Sequence, residues 1–270
     1  MEMQLGFRVV ELPYMFSVPC KENAKLRKLV DSVKHDVRLQ TLWKSSNIMA
    51  INRMGYTDHG PTHVKIVANS ALKLLRILVT KKVVPNVVKD YNMTINDAEV
   101  VVVLGSIFHD LGMIVARENH EIYSVFLALD FLKEHLAAIY NLEERAVLSS
   151  EVLHAVLAHH PNQQVLTLEA GIVRVADALD MEQGRARIPF EAGKIDIHSV
   201  SALSIEKVEI LEGTTKPIMI RIKMANSAGI FQIDELLKAR IQSSTLEKYI
   251  HVVAEIVSEK ELKIIKKYEF

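Results

Sequence analysis

The chain of 270 residues carries one cysteine, Cys20. A single thiol excludes an intrachain disulfide and fits a reducing, cytoplasmic setting. There is no surplus charge of either sign: Lys+Arg and Asp+Glu each number 33. No bulk basic field therefore exists to draw nucleic acid or an anionic membrane, and neither is expected as a partner. Long apolar runs are also missing. Val100 to Leu104 falls far short of the roughly 20 residues that cross a bilayer. The opening MEMQLGFRVVELPYMF has no basic n-region and no long apolar core, so no signal peptide is expected. No P-loop, dinucleotide fingerprint or internal repeat is visible. No Ser-His-Asp or Cys-His nucleophile arrangement is in view. The remaining composition, 49% hydrophobic and 24% charged, is that of a soluble globular protein with one large or two smaller domains.

What the chain does have is histidine, eleven in all. One of them stands at an informative point. An apolar run through Phe108 ends in His109-Asp110, at the end of a segment that should be buried. Burying a carboxylate is costly unless a cation or hydrogen-bonding partner compensates it. A divalent metal suits a His-Asp pair, whereas a capping Asp beside a neutral buried His is the plainer alternative.

Read in order, residues 1 to 20 form an irregular arm with a short strand at Phe7 to Leu12. Lys21 to Ser46 has no Pro or Gly, and Leu26, Val30, Val33 and Val37 recur at helical spacing, which predicts one helix. A short helix continues to Met54, where Gly55 stops it. Thr62 to Val79 reads as a long helix opened by Pro61. Thr94 or Asp97 caps a helix that runs to Phe108 or Asp110, with Gly112 breaking it. Further helices are expected at Glu121 to His135, Leu142 to Ala158 and Leu168 to Met181. The period then changes from helical to alternating. Strands are expected at Lys194 to His198, Ser204 to Leu211 and Pro217 to Met224, followed by a helix reaching Val257 and a closing strand from Leu262. The fold class is thus mainly α: a helical domain over 1–190, then a small α+β domain over 191–270. NSAGIFQIDELL (226–237) fits an interface or regulatory role for the second domain, and a homodimer is the expected assembly.

The ligand-type residues His63, His109, Asp110, His120, His159, His160 and Asp177 each lie at or near a helix end. A helical bundle can aim such residues at one interior point. Imidazoles and carboxylates without cysteine suit a catalytic divalent metal. His159 and His160 cannot both point inward from a regular helix, because consecutive residues diverge by about 100°; Pro161 relieves this by fraying the helix end. Arg117, Arg185 and Arg187 are candidate substrate-binding cations, since guanidinium groups match phosphate oxygens. His59 and Asp180 are candidates to orient a ligand from behind.

The ordered set His63, His109-Asp110, Asp177 resembles the H…HD…D signature of the HD superfamily of metal-dependent phosphohydrolases, over roughly residues 50 to 185. VRVADALD (173–180) resembles the family's final-ligand helix. His120 and His159-His160 resemble the extra histidines of two-metal members, in which the shared Asp, here Asp110, bridges the ions. The resemblance implies an HD-type helical bundle and two divalent ions (manganese, iron, nickel, zinc or magnesium). It implies hydrolysis of a phosphate ester, of a nucleotide or a related phosphorylated small molecule, with Asp110 and His109 at the catalytic centre. The run HDLGM lacks the lysine that cyclic-dinucleotide members carry there, and their Gly-Tyr-Pro element is missing. Two other functions stay open at this point: a di-iron oxygenase of the same superfamily, and a nucleotide-sensing binding module.

Overall fold

A computed structural model describes residues 16–183, 201–257 and 267–269. The strands expected at Phe7 to Leu12 and Lys194 to His198 lie outside the described residues, as does the domain boundary near residue 190.

The first long helix is interrupted where nothing in its periodicity says so. It divides into α1 (Ala24–His35) and α2 (Val37–Asn47) at Asp36, whose side chain accepts from the Leu39 amide at 3.0 Å. A carboxylate that caps a new helix competes with continuing the old one. A π-helical turn, Ile48–Arg53, comes next and ends before Gly55. Helix α3 (Pro61–Thr80) starts on its proline as expected, and a short α4 (Asn86–Tyr91) leads on.

Helix α5 (Ile95–Phe108) is the centre of the bundle. Thr94 and Asp97 close a capping box at its start. Every residue from Asp97 to Phe108 is buried, as befits a helix apolar on all sides. Buried polar groups at its start are paired: Asp97 with Lys25 at 2.7 Å and with the Tyr140 hydroxyl at 2.8 Å, Glu99 with Arg76 at 2.7 Å. Helices α6 (His120–Ala137), α7 (Leu142–Leu157) and α8 (Leu168–Ala178) complete the bundle, and α3, α7 and α8 all pack on α5. Gly105 makes room for α7 and α8 on this helix. A Cβ there would lie 3.0 Å from Val173 Cγ2 and 3.2 Å from Ala155 Cβ.

The C-terminal segment is a four-stranded sheet with one helical crossover. Strands β1 (Ile205–Glu212) and β2 (Ile218–Met224) form an antiparallel pair. A helical stretch over 229–242, here α9, then returns the chain so that β3 (Ile250–Ile256) lies parallel to β2. Strand β4 (Lys267–Glu269) pairs antiparallel with β3. The single helix expected up to Val257 is not what forms. The helix stops at Gln242, and Ser243-Ser244-Thr245 leads the chain into IHVVAEI, a β-branched run that suits the middle of a sheet. His251 is consequently a strand residue. The sheet packs on α3 and α9 packs on α8, so the apolar face of the alternating strands is covered within the chain and joins the same core.

Candidate metal centre

Helix α5 ends at Phe108, one residue before the His-Asp pair. His109 and Asp110 form the turn between α5 and a 3-10 segment, Leu111–Ile114. Gly112 matters for closeness rather than for breaking the helix. A Cβ there would fall 2.0 Å from the His120 carbonyl oxygen and 2.7 Å from the Ser124 nitrogen. Ser124 joins the two sides, accepting from the Gly112 amide at 2.8 Å and donating to the His109 carbonyl at 2.7 Å. Gly112→Ala is therefore expected to push α6, and His120 with it, off the His109-Asp110 turn. The expected outcome is a destabilisation of about 1–3 kcal/mol, as overpacking usually costs, together with weakened metal binding, read by thermal unfolding with and without added manganese.

The structure brings the candidate ligands together in two groups that share one residue. His63 Nε2, His109 Nε2 and one oxygen of Asp110, Oδ2, are mutually 3.0 to 3.2 Å apart. Asp177 Oδ1 adds a fourth atom, 3.3 Å from His63 and 3.7 Å from His109. The other oxygen of Asp110, Oδ1, lies 3.1 Å from His120 Nε2 and 3.6 Å from His159 Nε2, which are 3.2 Å from each other. All of these side chains are buried except Asp177, whose side chain is 16% exposed.

The far nitrogen of each ring explains why the near one points inward. His63 Nδ1 donates to Asp180 Oδ2 at 2.6 Å, and His109 Nδ1 to the Ser106 carbonyl at 2.9 Å. His120 Nδ1 donates to the Arg117 carbonyl at 2.9 Å, and His159 Nδ1 to the Val156 carbonyl at 2.5 Å. Three of the four use the carbonyl three residues earlier, a bond that a histidine in a helical turn can make with its own backbone. With Nδ1 protonated, the Nε2 atoms of His63, His109 and His159 present lone pairs, while His120 Nδ1 also meets the Arg117 guanidinium at 3.0 Å; the Nε2 atoms face one another at 3.0 and 3.2 Å. That arrangement repels unless a cation stands between them. Donors about 2.1 Å from a common ion are about 3.0 Å apart at right angles and about 3.4 Å apart at the tetrahedral angle. The observed separations fit both, and backing Nδ1–H bonds of this kind are the usual support of metal-ligating histidines.

A proton can serve in place of a metal. Burial pushes the His109 imidazole down, but Asp110 and Asp177 outweigh it and raise it to about 9. Burial would raise the Asp110 carboxyl, yet the neighbouring histidines, His109 foremost, hold it well below the usual carboxylate range; Asp177 behaves the same way. His159, buried and beside His109 and His120, is pushed down and stays neutral more readily.

The remaining candidates divide. Asp180 backs His63, as described. His59 lines the cavity over the centre, with its ring 5.8 Å from that of His63 and its Nδ1 bonded to the Thr57 carbonyl at 2.7 Å. His160 turns away from the donor groups: its Nδ1 accepts from the Asn162 amide at 3.2 Å while the residue lines the cavity wall. Arg117 reaches the cavity beside His120, with its guanidinium over the Tyr56 ring. Arg185 and Arg187 lie outside the described residues. Two further arginines hold the surroundings of the centre through backbone carbonyls. Arg174, fully buried, donates to the carbonyls of Ala158, His160 and Gln163 and to Ser243. Arg240, on α9, donates to the His159 carbonyl and lines the cavity. Neither carries a sequence signal, since their partners are backbone carbonyls far away in the chain.

The bundle carries buried His/Asp groups that could hold a metal ion, and the HD-domain family model matches residues 62–182. The chain belongs to the HD-domain family, a superfamily of metal-dependent phosphohydrolases. It is similar along most of its length to an uncharacterised protein of Methanocaldococcus jannaschii, 45% identical over 234 residues that cover 87% of this chain and 90% of that protein. It is also similar to a ribonuclease Y of Desulforamulus reducens, 27% identical over 168 residues, covering 61% of this chain but 30% of the ribonuclease. Among the described residues no helix is long and apolar enough to cross a membrane.

Proposed function

We propose that the chain is a hydrolase of phosphorylated small molecules, nucleotides or compounds of similar size, with a centre for two divalent ions. The observation that supports this reading is the pair of donor groups sharing Asp110, one carboxylate oxygen in each, with the four Nε2 atoms aimed inward. His63, His109, Asp110 and Asp177 would hold one ion, and Asp110, His120 and His159 the other. Bound divalent ions supply hydroxide at neutral pH, by lowering the pKa of water from 15.7 toward roughly 7, and neutralise phosphoryl oxygens.

The chain's own residues do the rest. Asp180 fixes the tautomer of His63, and the Ser106, Arg117 and Val156 carbonyls fix those of His109, His120 and His159. Asp177 is the donor most open to the cavity, so it stands nearest to an entering substrate. The cavity, of about 780 Å³, accommodates a molecule larger than phosphate itself. The division of labour near residue 190 belongs to the same proposal: all the donors precede it, and the C-terminal segment contributes cavity wall.

The test is metal analysis of the purified protein and then an anaerobic hydrolysis screen with added manganese. Its panel holds phosphomonoesters, nucleotides, cyclic dinucleotides and a single-stranded RNA oligonucleotide. The expected result is close to two ions per chain and oxygen-independent release of phosphate from a monoester or nucleotide. Turnover that requires oxygen would point to oxygenase chemistry instead, and full metal loading with no turnover of any phosphate ester would defeat the hydrolase reading.

A further inference from the structure

The cavity over the donor groups is not walled by the HD-matched segment alone. Gln232, Leu236 and Arg240 of α9 line it from the side of His159 and His160. Its charge is unevenly arranged. The His63 side is backed by a carboxylate, Asp180. The His120 and His159 side carries one carboxylate, Glu121, and two guanidinium groups: Arg117 against His120 and Arg240 against the His159 carbonyl. Arg76 and Arg38 have carboxylate partners, Glu99 and Glu134, whereas Arg27 and Arg53 bond to a carbonyl and a thioether. Among the described residues Arg117 and Arg240 have no such ion pair. Glu118, Glu121 and Glu182 also line the cavity, but Glu121 lies against His120 Nδ1 at 3.3 Å rather than against either arginine. Arg174 adds a third positive charge close enough to Arg240 to have its pKa lowered by it, after burial, and it too is bonded to carbonyls and a hydroxyl, not to a carboxylate. Guanidinium groups that face a cavity without a carboxylate partner are an electrostatic cost that an anionic ligand lowers.

We infer that Arg117 and Arg240 form an anion clamp on the His120–His159 side of the cavity, and that it selects substrates with a terminal, dianionic phosphate over diesters. The inference rests on the hydrolase reading for its substrate but not for the clamp. Two guanidinium groups can meet several non-bridging oxygens in bidentate fashion. A phosphomonoester presents three such oxygens and two charges, whereas a diester presents two oxygens and one charge. Arg240 is then a specificity-determining residue supplied by the C-terminal segment, outside residues 62–182 of the family match. A side chain that also ties down the His159 carbonyl couples substrate binding to the position of that ligand turn.

The experiment uses the full-length, manganese-loaded protein and its Arg240→Gln and Arg240→Lys variants. Inorganic phosphate is titrated into each by calorimetry, and p-nitrophenyl phosphate and bis-p-nitrophenyl phosphate are compared as substrates. Metal content and thermal unfolding are measured in parallel. The expected result for Arg240→Gln is unchanged metal content and phosphate affinity weakened about 10- to 100-fold, the range for losing charge-assisted hydrogen bonds. KM for the monoester should rise more than kcat falls, and the monoester-to-diester preference should shrink. Arg240→Lys should recover part of the affinity, since it restores the charge without the fork. Unchanged phosphate affinity and preference in Arg240→Gln overturns the clamp. Metal loss in step with the loss of phosphate binding, in both variants, also overturns it, because Arg240 would then serve only to hold the His159 turn. If the wild type hydrolyses no phosphate ester yet its phosphate affinity depends on Arg240, the clamp stands and the hydrolase reading falls. If hydrolysis is robust and Arg240→Gln is indifferent, the reverse holds.

Discussion

Asp110→Ala is expected to abolish hydrolysis and to strip both ion positions together. Its two oxygens are divided between the donor groups, Oδ2 with His63 and His109, Oδ1 with His120 and His159. Among the described residues no other side chain belongs to both. Removing it takes a charged donor from each position at once, so the effect should exceed the roughly 10- to 100-fold that changes behind a ligand cost. Asp180→Asn provides that comparison, because the Asp180 carboxylate stands behind a ligand, bonded to His63 Nδ1. The fold should survive Asp110→Ala, since the bundle core around α5 is independent of the turn that carries the carboxylate. Metal content by mass spectrometry, circular dichroism and turnover on a phosphomonoester check the result. A folded Asp110→Ala protein that keeps two ions and its turnover would remove Asp110 from the centre.

How much of this was legible in the sequence depends on which force sets each feature. Helices α3 and α8 arise from apolar periodicity and α5 from an unbroken apolar run, with Pro61 and Thr94 marking the starts of α3 and α5. The donors His63, His109, Asp110, His120, His159 and Asp177 could be named because their ordered spacing resembles a family pattern, and because they sit where helices end. What local reading could not supply was long-range geometry. The break at Asp36 is a side chain choosing to cap a new helix, a choice invisible in Leu26, Val30, Val33 and Val37. The strand at Ile250–Ile256 comes after a helical stretch without a glycine or proline between them, so its extent was absorbed into that helix; only pairing with β2 and β4 draws it out. His160 has the same residue type as His159 and the same neighbours in sequence. Which of the two reaches the centre is settled by the turn after α7, where His159 bonds back to Val156 and His160 forward to Asn162. The arginines of the C-terminal contact, Arg174 and Arg240, were the least legible of all, since backbone carbonyls leave no mark in a sequence.

Arg174→Met is expected to have the largest effect on stability of any change outside the donor set. The guanidinium is buried, and its nitrogens meet five acceptors. Nε donates to the Ala158 carbonyl at 2.7 Å. One terminal nitrogen donates to Ser243, to its carbonyl at 2.9 Å and its hydroxyl at 3.0 Å. The other donates to the carbonyls of His160 at 2.6 Å and Gln163 at 2.5 Å. Burial, together with Arg240 nearby, pulls its pKa down to about 10, which still leaves it charged at neutral pH. Methionine keeps much of the stem's volume but none of the donors, so the carbonyls around the His159 turn lose their partners. Breaking one side of such a buried charged network costs about 3–5 kcal/mol. For a chain of this size that is a fall in Tm of about 6–20 °C. The damage should also be directional. Ala158 and His160 flank His159, so the group of Asp110, His120 and His159 should loosen while His63, His109 and Asp177 stay in place. Metal titration should then show the tighter ion retained and the weaker one lost, with Ser243→Ala, which removes one acceptor and leaves the turn bonded, close to wild type. An Arg174→Met protein with wild-type Tm and full metal content would show that the turn holds itself, and that the link between the bundle and the C-terminal segment is not what fixes His159.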